Sequence, residues 1–266
     1  MSGSGLRVRV TRWPCVAADL SLAQHDVAVV SASLLASDDG VRDSLGVLSA
    51  DERARFESYT NVVVARRFAV GRRVVRDVLG TALGMEASDV PLCAGVHGKP
   101  ALRRGAAPKP MWFSVAHCED LILVALSRTS DVGIDLERSR AIEHWERVAE
   151  RVLDPVERAQ LLTAVERGDE AGPAFLRHWC RVEAELKAIG CGIDGLDAHR
   201  AGKRPLGLRV VDLDELPLPP DLSRAGARYQ AAVAVCCLGV ESARQIAIAP
   251  HHEIRPTITP TRPSTA

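Results

Sequence analysis

The segment DVGIDLERS, residues 131–139, places two acidic side chains two positions apart. In an extended strand the apolar residues at 132, 134 and 136 point to one face, and Gly133, Asp135 and Glu137 point to the other. Two carboxylates about 7 Å apart on one face repel each other unless a cation lies between them. Mg²⁺ binds one or two carboxylates together with phosphate oxygens, so the pair is a candidate metal site. The alternative is a solvent-facing strand whose acids pair with Arg138 or Arg140.

A second set of candidate residues lies in the helical segment FLRHWCRVEAELKAIG, residues 175–190. Trp179, Glu183 and Lys187 are spaced i, i+4 and i+8, so they line one face of a helix. A third carboxylate and a lysine would complete a metal site and neutralise a bridging phosphate. The alternative is an ordinary surface ion pair between Glu183 and Lys187.

Three further segments carry candidate functional residues. His117 follows the apolar run FSVA, and Gly98-Lys99-Pro100 forms a turn that allows backbone to approach a ligand. Arg55 and Arg67 stand on basic helical stretches. Each segment also has a plain structural interpretation, as a structural histidine, an ordinary loop or a solvated basic face. That basic face would include Arg66, Arg72, Arg73 and Arg76.

Strands and helices that mix without a strict βαβ rhythm must position these residues. Strand-like runs cover residues 7–11, 26–32, 111–115, 120–127, 132–137, 208–213 and 230–238. A capping box opens one helix at Ser49, and Asp154-Pro155 opens a second that Gly168 ends. A third helix runs from Pro173 to about residue 189 and ends at Gly190. The short spacing of 111–115, 120–127 and 132–137 predicts consecutive antiparallel hairpins, so an α+β fold follows.

Composition limits the classes of function that the chain can have. It contains 266 residues, 47% of them hydrophobic, with 34 basic and 34 acidic residues. A net charge of zero gives no overall attraction to nucleic acid or membrane, so any anion site must be a local cluster. Seven cysteines without a CxxC pair, a start unlike a signal peptide and no long apolar run favour a soluble cytoplasmic protein.

Changes of pattern along the chain predict four parts. An N-terminal extension covers residues 1–25, and two hydrophobic halves cover residues 26–140 and 141–249. The tail at 250–266 is rich in proline and threonine and is expected to be disordered.

In their order along the chain, these segments resemble the 4′-phosphopantetheinyl transferases of the surfactin-synthetase-activating type. That family has an Arg-bearing helix, a GKP turn, an F-x-x-S/A-H segment, a G-I/V-D-I/L-E strand and a W-x-x-K-E-x-x-x-K helix. The corresponding residues are Arg67, Gly98 to Pro100, Phe113 to His117, Gly133 to Glu137, and Trp179 to Lys187. The resemblance covers about residues 26 to 240.

The resemblance implies a pseudo-two-fold α+β fold of two similar halves, with coenzyme A bound in the cleft between them. Asp135, Glu137 and Glu183 would hold Mg²⁺, or Mn²⁺ in its place, against the pyrophosphate, and Lys187 would contact the same group. Residues near the nucleotide would be Arg55, Arg67 and His117 around the 3′-phosphate, Ala116 through its backbone N–H, and Gly98, Lys99 and Pro100 along the adenosine.

The implied reaction is attack by a serine hydroxyl of an apo acyl, peptidyl or polyketide carrier protein on the β-phosphate of coenzyme A, which releases 3′,5′-ADP. Glu183 is the first candidate for the general base. Glu157 ranks second, because it is also the third residue of its own capping box. Since the cleft forms within one chain, a monomer is expected, and nucleic acid and membrane are not expected partners.

Two departures from the family pattern leave alternatives open. Val182 stands where the family has the first lysine of its helix motif, which predicts weaker electrostatic stabilisation unless Arg181 substitutes. Ala116 replaces the serine that often precedes the histidine. One alternative is a catalytically inactive protein that binds coenzyme A or a carrier, for which Val182 is the sequence hint. Another is an unrelated Mg²⁺-dependent phosphoryl or nucleotidyl transferase, which leaves the HGKP and FSVAH segments unexplained.

Overall fold

The computed structural model describes residues 6–22, 26–95, 99–103, 105 and 110–236. Its strands are β1 (Val8–Arg12), β2 (Val27–Ser33), β3 (Leu92–Ala94), β4 (Pro100–Leu102), β5 (Trp112–Cys118), β6 (Leu121–Ser127), β7 (Asp131–Arg138), β8 (Leu208–Asp212) and β9 (Tyr229–Cys236). Its α-helices are α1 (Asp38–Gly46), α2 (Ala50–Glu57), α3 (Val62–Leu83), α4 (Trp145–Val152), α5 (Pro155–Glu166), α6 (Ala171–Ile189), α7 (Leu196–Arg200) and α8 (Pro220–Arg224). The predicted α+β class is confirmed, whereas the tail at 250–266, predicted to be disordered, lies outside the described residues.

The strands form two main sheets, and the chain links the strands of each sheet in a similar way. The first has the order β1-β2-β6-β5 and the second β7-β9-β8, while β3 and β4 pair separately. In the first sheet, helices follow β2, the chain later forms β5 and β6, and β6 pairs with β2. In the second sheet, helices follow β7, the chain later forms β8 and β9, and β9 pairs with β7. This repeated connection supports two similar halves, and a two-fold axis between them stays a prediction.

Strand β7 corrects one sequence-based prediction and bears on the boundary between the halves, which stays a prediction. The spacing predicts a hairpin between β6 and β7, but β6 is already paired on both edges, with β2 and β5, so no edge remains for β7. The strand pairs instead with β9, where Asp135 lies opposite Ala232 and Glu137 opposite Gln230. A boundary at residue 140 places β7 in the N-terminal half, yet its hydrogen bonds place it in the second sheet.

The N-terminal extension contributes to the first sheet. Its predicted strand at 7–11 is confirmed as β1, which pairs in parallel with β2 and sets Val8 opposite Val27. The extension therefore supplies an edge strand.

Alternation along the strands places the apolar cores between four layers. Val27 and Val29 pack between the two sheets, together with Ile134 of β7. The intervening Ala28 and Val30 face the opposite way and pack with α3. Alanines on the outer face of β9 pack with α6. The layers are therefore helix, sheet, sheet, helix, as the period-two pattern requires.

Local signals in the sequence set the helix ends. Ser49 Oγ accepts a hydrogen bond from Glu52 N–H at 3.3 Å, and Glu52 Oε2 accepts one from Ser49 N–H at 3.0 Å, which is the predicted capping box. Helix α6 ends at Gly190, whose φ of 76° is a left-handed conformation that glycine adopts without strain. None of the described helices is long and apolar enough to cross a membrane.

Candidate active site

Gly133 allows α6 to lie directly on β7. A Cβ atom at this position would lie 2.0 Å from the carbonyl oxygen of Ala184 and 2.5 Å from the backbone nitrogen of Ala188. Both neighbours are helix backbone, so any side chain here would push the helix away from the strand. The glycine of the GIDLE segment therefore brings the Glu183 and Lys187 face of α6 against the acidic face of β7.

Lys187 forms an ion pair with Asp135 across this junction. Its Nζ donates to Asp135 Oδ1 at 2.6 Å and to the backbone oxygen of Ile134 at 3.2 Å. The side chain of Asp135 is only 11% exposed, so its charge needs a partner close by. In this structure the lysine ammonium provides that positive charge.

Glu183 lies in the same junction and makes no side-chain hydrogen bond or ion pair with another described residue. Burial raises its pKa, and the negative charges of Asp135 and Glu137 raise it further, while Lys187 opposes the change. Glu137 pairs with Arg140 at 3.0 Å. The three predicted carboxylates thus influence each other electrostatically, and Glu183 is the one without a cationic partner in hydrogen-bond contact.

The carboxylates do not form a closed metal cluster. Within the described residues, no group of three His, Cys, Asp or Glu side chains is arranged to hold an ion. The donor chemistry nevertheless fits a hard divalent cation, because three carboxylates act on one another at this junction and Glu183 has no hydrogen-bonded cation among the described residues. Lys187 occupies one oxygen of Asp135, its Oδ1.

A cavity of about 520 Å³ lies beside this junction and is lined by four predicted residues, Arg55, Arg67, Pro100 and His117. Strand β5 runs along β7, since Ser114 Oγ accepts from Ile134 N–H and Cys118 Sγ accepts from Arg138 N–H, each at 3.3 Å.

His117 lies between these two contacts on β5 and connects the cavity with the β7–α6 junction. Burial lowers the pKa of His117, and the charges of Lys187 and Arg67 lower it further. The basic cavity and the acidic junction are therefore electrostatic neighbours.

Comparison with known proteins identifies the family. The family model described as the 4′-phosphopantetheinyl transferase superfamily matches residues 131–233. The chain is 32% identical over 179 residues to 4′-phosphopantetheinyl transferase HetI of Nostoc sp.. The matched region covers 67% of this chain and 75% of the relative. The chain belongs to the 4′-phosphopantetheinyl transferase superfamily.

Other relatives agree with this assignment. A putative 4′-phosphopantetheinyl transferase of Synechocystis sp. is 34% identical over 149 residues, covering 56% of this chain and 59% of the relative. The 4′-phosphopantetheinyl transferase psf-1 of Bacillus pumilus is 26% identical over 173 residues, covering 65% of this chain and 71% of the relative.

Sequence reasoning missed three residues that line the cavity of this phosphopantetheinyl transferase superfamily member. Tyr59 and Phe68 lie with ring centroids 5.4 Å apart, and the guanidinium groups of Arg55 and Arg72 lie 5.6 and 5.4 Å from the Phe68 centroid. Arg72 would belong to the basic face in the solvated interpretation, but it lines the cavity, and burial lowers its pKa. The i, i+4 spacing of Phe68 and Arg72 places these two side chains on one face of α3, and it was the sequence signal for their shared position.

Other residues in the predicted nucleotide set have different positions. Ala116 is 5% exposed, and its side chain packs in the core between the sheets. Lys99 directs its ammonium to backbone oxygens of β7 and α6 rather than into the cavity. Gly98 lies outside the described residues.

The second candidate base, Glu157, is held in another cluster. Its carboxylate accepts from Arg204 at 2.6 Å and lies 2.9 Å from His199 Nε2, and both cations also contact Glu185. Glu185 is two residues from Glu183, or about 200° around the helix, so this cluster lies on the opposite side of α6. Glu157 therefore lies apart from the β7–α6 junction.

The departure at Val182 has a structural explanation. Val182 is fully buried in the apolar cluster of the second half, where a lysine would have to bury its charge. Arg181 forms two hydrogen bonds with Asp212, at 2.7 and 2.6 Å. Whether Arg181 substitutes for the missing lysine stays an open alternative, and its guanidinium is paired with Asp212 in this structure.

Proposed function

We propose that this chain transfers the 4′-phosphopantetheine arm of coenzyme A to a serine of an apo carrier protein, and that it is of the surfactin-synthetase-activating type. Family membership supports the transfer itself. The observation that carries the site assignment is the β7–α6 junction, where Lys187 and three carboxylates lie beside a cavity bordered by arginines. This arrangement provides separate places for a nucleotide and for a reacting pyrophosphate.

The cavity would bind the nucleotide end of coenzyme A. Arg55, Arg67 and His117 border it, and guanidinium groups form charge-assisted hydrogen bonds with phosphate oxygens. Pro100 and the ring of Phe68 supply apolar walls suited to a base and a ribose.

The junction supplies the reacting end. Asp135, Glu137 and Glu183 would hold Mg²⁺, which when bound offsets negative charge on the pyrophosphate. Lys187 has its ammonium 2.6 Å from Asp135 and would contact the same phosphates. Charge on the departing phosphate oxygen would thus be offset where it develops.

The proton of the carrier serine requires an acceptor. Glu183 lies in the junction among the reacting groups and is the first candidate for this acceptor. In the transfer, the serine Oγ forms a bond to the β-phosphorus, and the bond to the leaving 3′,5′-ADP breaks. The serine proton passes to Glu183.

The experiment is to incubate the chain with coenzyme A, Mg²⁺ and apo carrier domains of acyl, peptidyl and polyketide types. The mass of each carrier is then measured by mass spectrometry. The expected result is a gain of one phosphopantetheine that is lost in EDTA and in Asp135→Ala. Glu183→Gln should abolish the gain while most coenzyme A binding remains, and Glu166→Gln on the exposed face of α5 should transfer normally. Retained coenzyme A binding without any mass gain across all carriers would instead support the inactive binding protein.

A further inference from the structure

Lys99 bridges the strand and the helix that carry the reacting residues. Its Nζ donates to the backbone oxygen of Val132 at 3.2 Å and to the backbone oxygen of Lys187 at 3.0 Å. Val132 belongs to β7 and Lys187 to α6, whereas Lys99 immediately precedes β4. The next residue, Pro100, lines the cavity, so these two adjacent residues contact the β7–α6 junction and the cavity, respectively.

The end of α6 explains why an ammonium group is favourable here. The last carbonyl groups of a helix lack partners within the helix and carry partial negative charge. The N–H groups of Gly190 and Cys191 both donate to Leu186 O, at 2.9 and 3.3 Å. Lys99 supplies a donor for the next carbonyl, that of Lys187, and places a positive charge at the negative end of the helix.

The contacts of Lys99 lie next to Gly133, where α6 packs directly on β7. Val132 directly precedes Gly133, where the helix backbone already touches the strand. The backbone of Lys187 is thereby tied to β7, and its side chain reaches Asp135 on the same strand at 2.6 Å. A change at Lys99 would consequently alter the position of Lys187 relative to Asp135.

We propose that Lys99 is a positioning residue for the transfer reaction, acting through the backbone of Lys187 rather than by contacting the nucleotide. The proposal rests on the proposed function. It separates two roles for the turn: Pro100 borders the nucleotide cavity, and Lys99 sets the alignment of the reacting groups. Loss of the Lys99 ammonium therefore lowers turnover without weakening coenzyme A binding.

The test compares Lys99→Met, which keeps the length of the side chain but loses the donor, with Lys203→Met at an exposed lysine. For Lys99→Met we expect kcat to fall about tenfold or more, because small misplacements of reacting groups are costly, with the KM for coenzyme A within twofold. Coenzyme A binding, measured by calorimetry in EDTA, should also stay within twofold. Hydrogen exchange at the end of α6 should become faster, and Lys203→Met should match the wild type throughout.

The opposite pattern would overturn the proposal. If Lys99 contacts the nucleotide, its replacement weakens metal-free coenzyme A binding and raises KM, with kcat and exchange at α6 unchanged. Should Lys99→Met fail to fold, Lys99→Gln removes the charge with a milder change, and the same comparison decides. If the wild-type chain transferred nothing, the proposed function would fail, while the exchange and binding measurements would still decide whether Lys99 bridges β7 and α6.

Discussion

Replacing Gly133 with alanine should damage both stability and transfer. The added Cβ would lie 2.0 Å from Ala184 O, whereas ordinary contacts begin near 3.4 Å, so strand and helix must separate by about 1.4 Å. Because the obstructing atoms are backbone, no side-chain rotation relieves the contact. Overpacking of a core typically costs about 1–3 kcal/mol, and a backbone contact places this substitution at the upper end of that range. The same separation lengthens the 2.6 Å contact between Lys187 and Asp135, and a shift of about 1 Å can lower turnover about 100-fold.

The assay combines urea unfolding with the rate of mass gain by an apo carrier. Gly46→Ala is the matched control, since a Cβ there meets nothing within 4 Å. The control should transfer normally and be as stable as the wild type or slightly more stable. If Gly133→Ala unfolds at the same urea concentration as the wild type and transfers at the same rate, the argument that glycine is required for the helix–strand contact is refuted.

Two further predictions concern charge. Arg67 is already paired with Asp120 at 2.8 Å, whereas the carboxylate nearest to Arg72 is 3.8 Å away. Arg72→Gln should therefore raise the KM for coenzyme A about tenfold and change that for 3′-dephospho-coenzyme A little. Exposed Arg42→Gln is the control, and equal effects on both substrates would exclude a phosphate contact. His199 is buried, which alone would lower its pKa, but hydrogen bonds to two carboxylates raise it to about 9. A raised pKa stabilises the fold fully below about pH 6.5, and the stabilisation is lost as the pH rises through about 9. His199→Gln should therefore cost up to about 3 kcal/mol at pH 6, with the difference in unfolding free energy shrinking towards pH 10; a difference independent of pH would contradict the ion-pair explanation.

Features that depend on neighbours in the chain were predictable. The capping boxes at Ser49 and Asp154 and the stop at Gly190 are short-range signals, and all three are present. The period-two alternation of β7 likewise assigned its apolar face to the core and its acidic face to the site. The i, i+4 rule placed Glu183 and Lys187 on one face of α6 for the same reason.

The sequence alone thus predicted the strand and the helix that carry the site, the faces of β7 and α6, and, through the order of motifs, the superfamily. Only the tertiary structure decided the contacts between distant segments. It showed that β6 has no free edge for β7, that Asp135 binds Lys187, and that Lys99 reaches the end of α6. Local periodicity is a property of a few consecutive residues, whereas the partner of a buried charge depends on which distant segments pack against it. The three carboxylates and the Arg140 partner of Glu137 were therefore recognisable in the sequence, but the pairing of Asp135 with Lys187 was not.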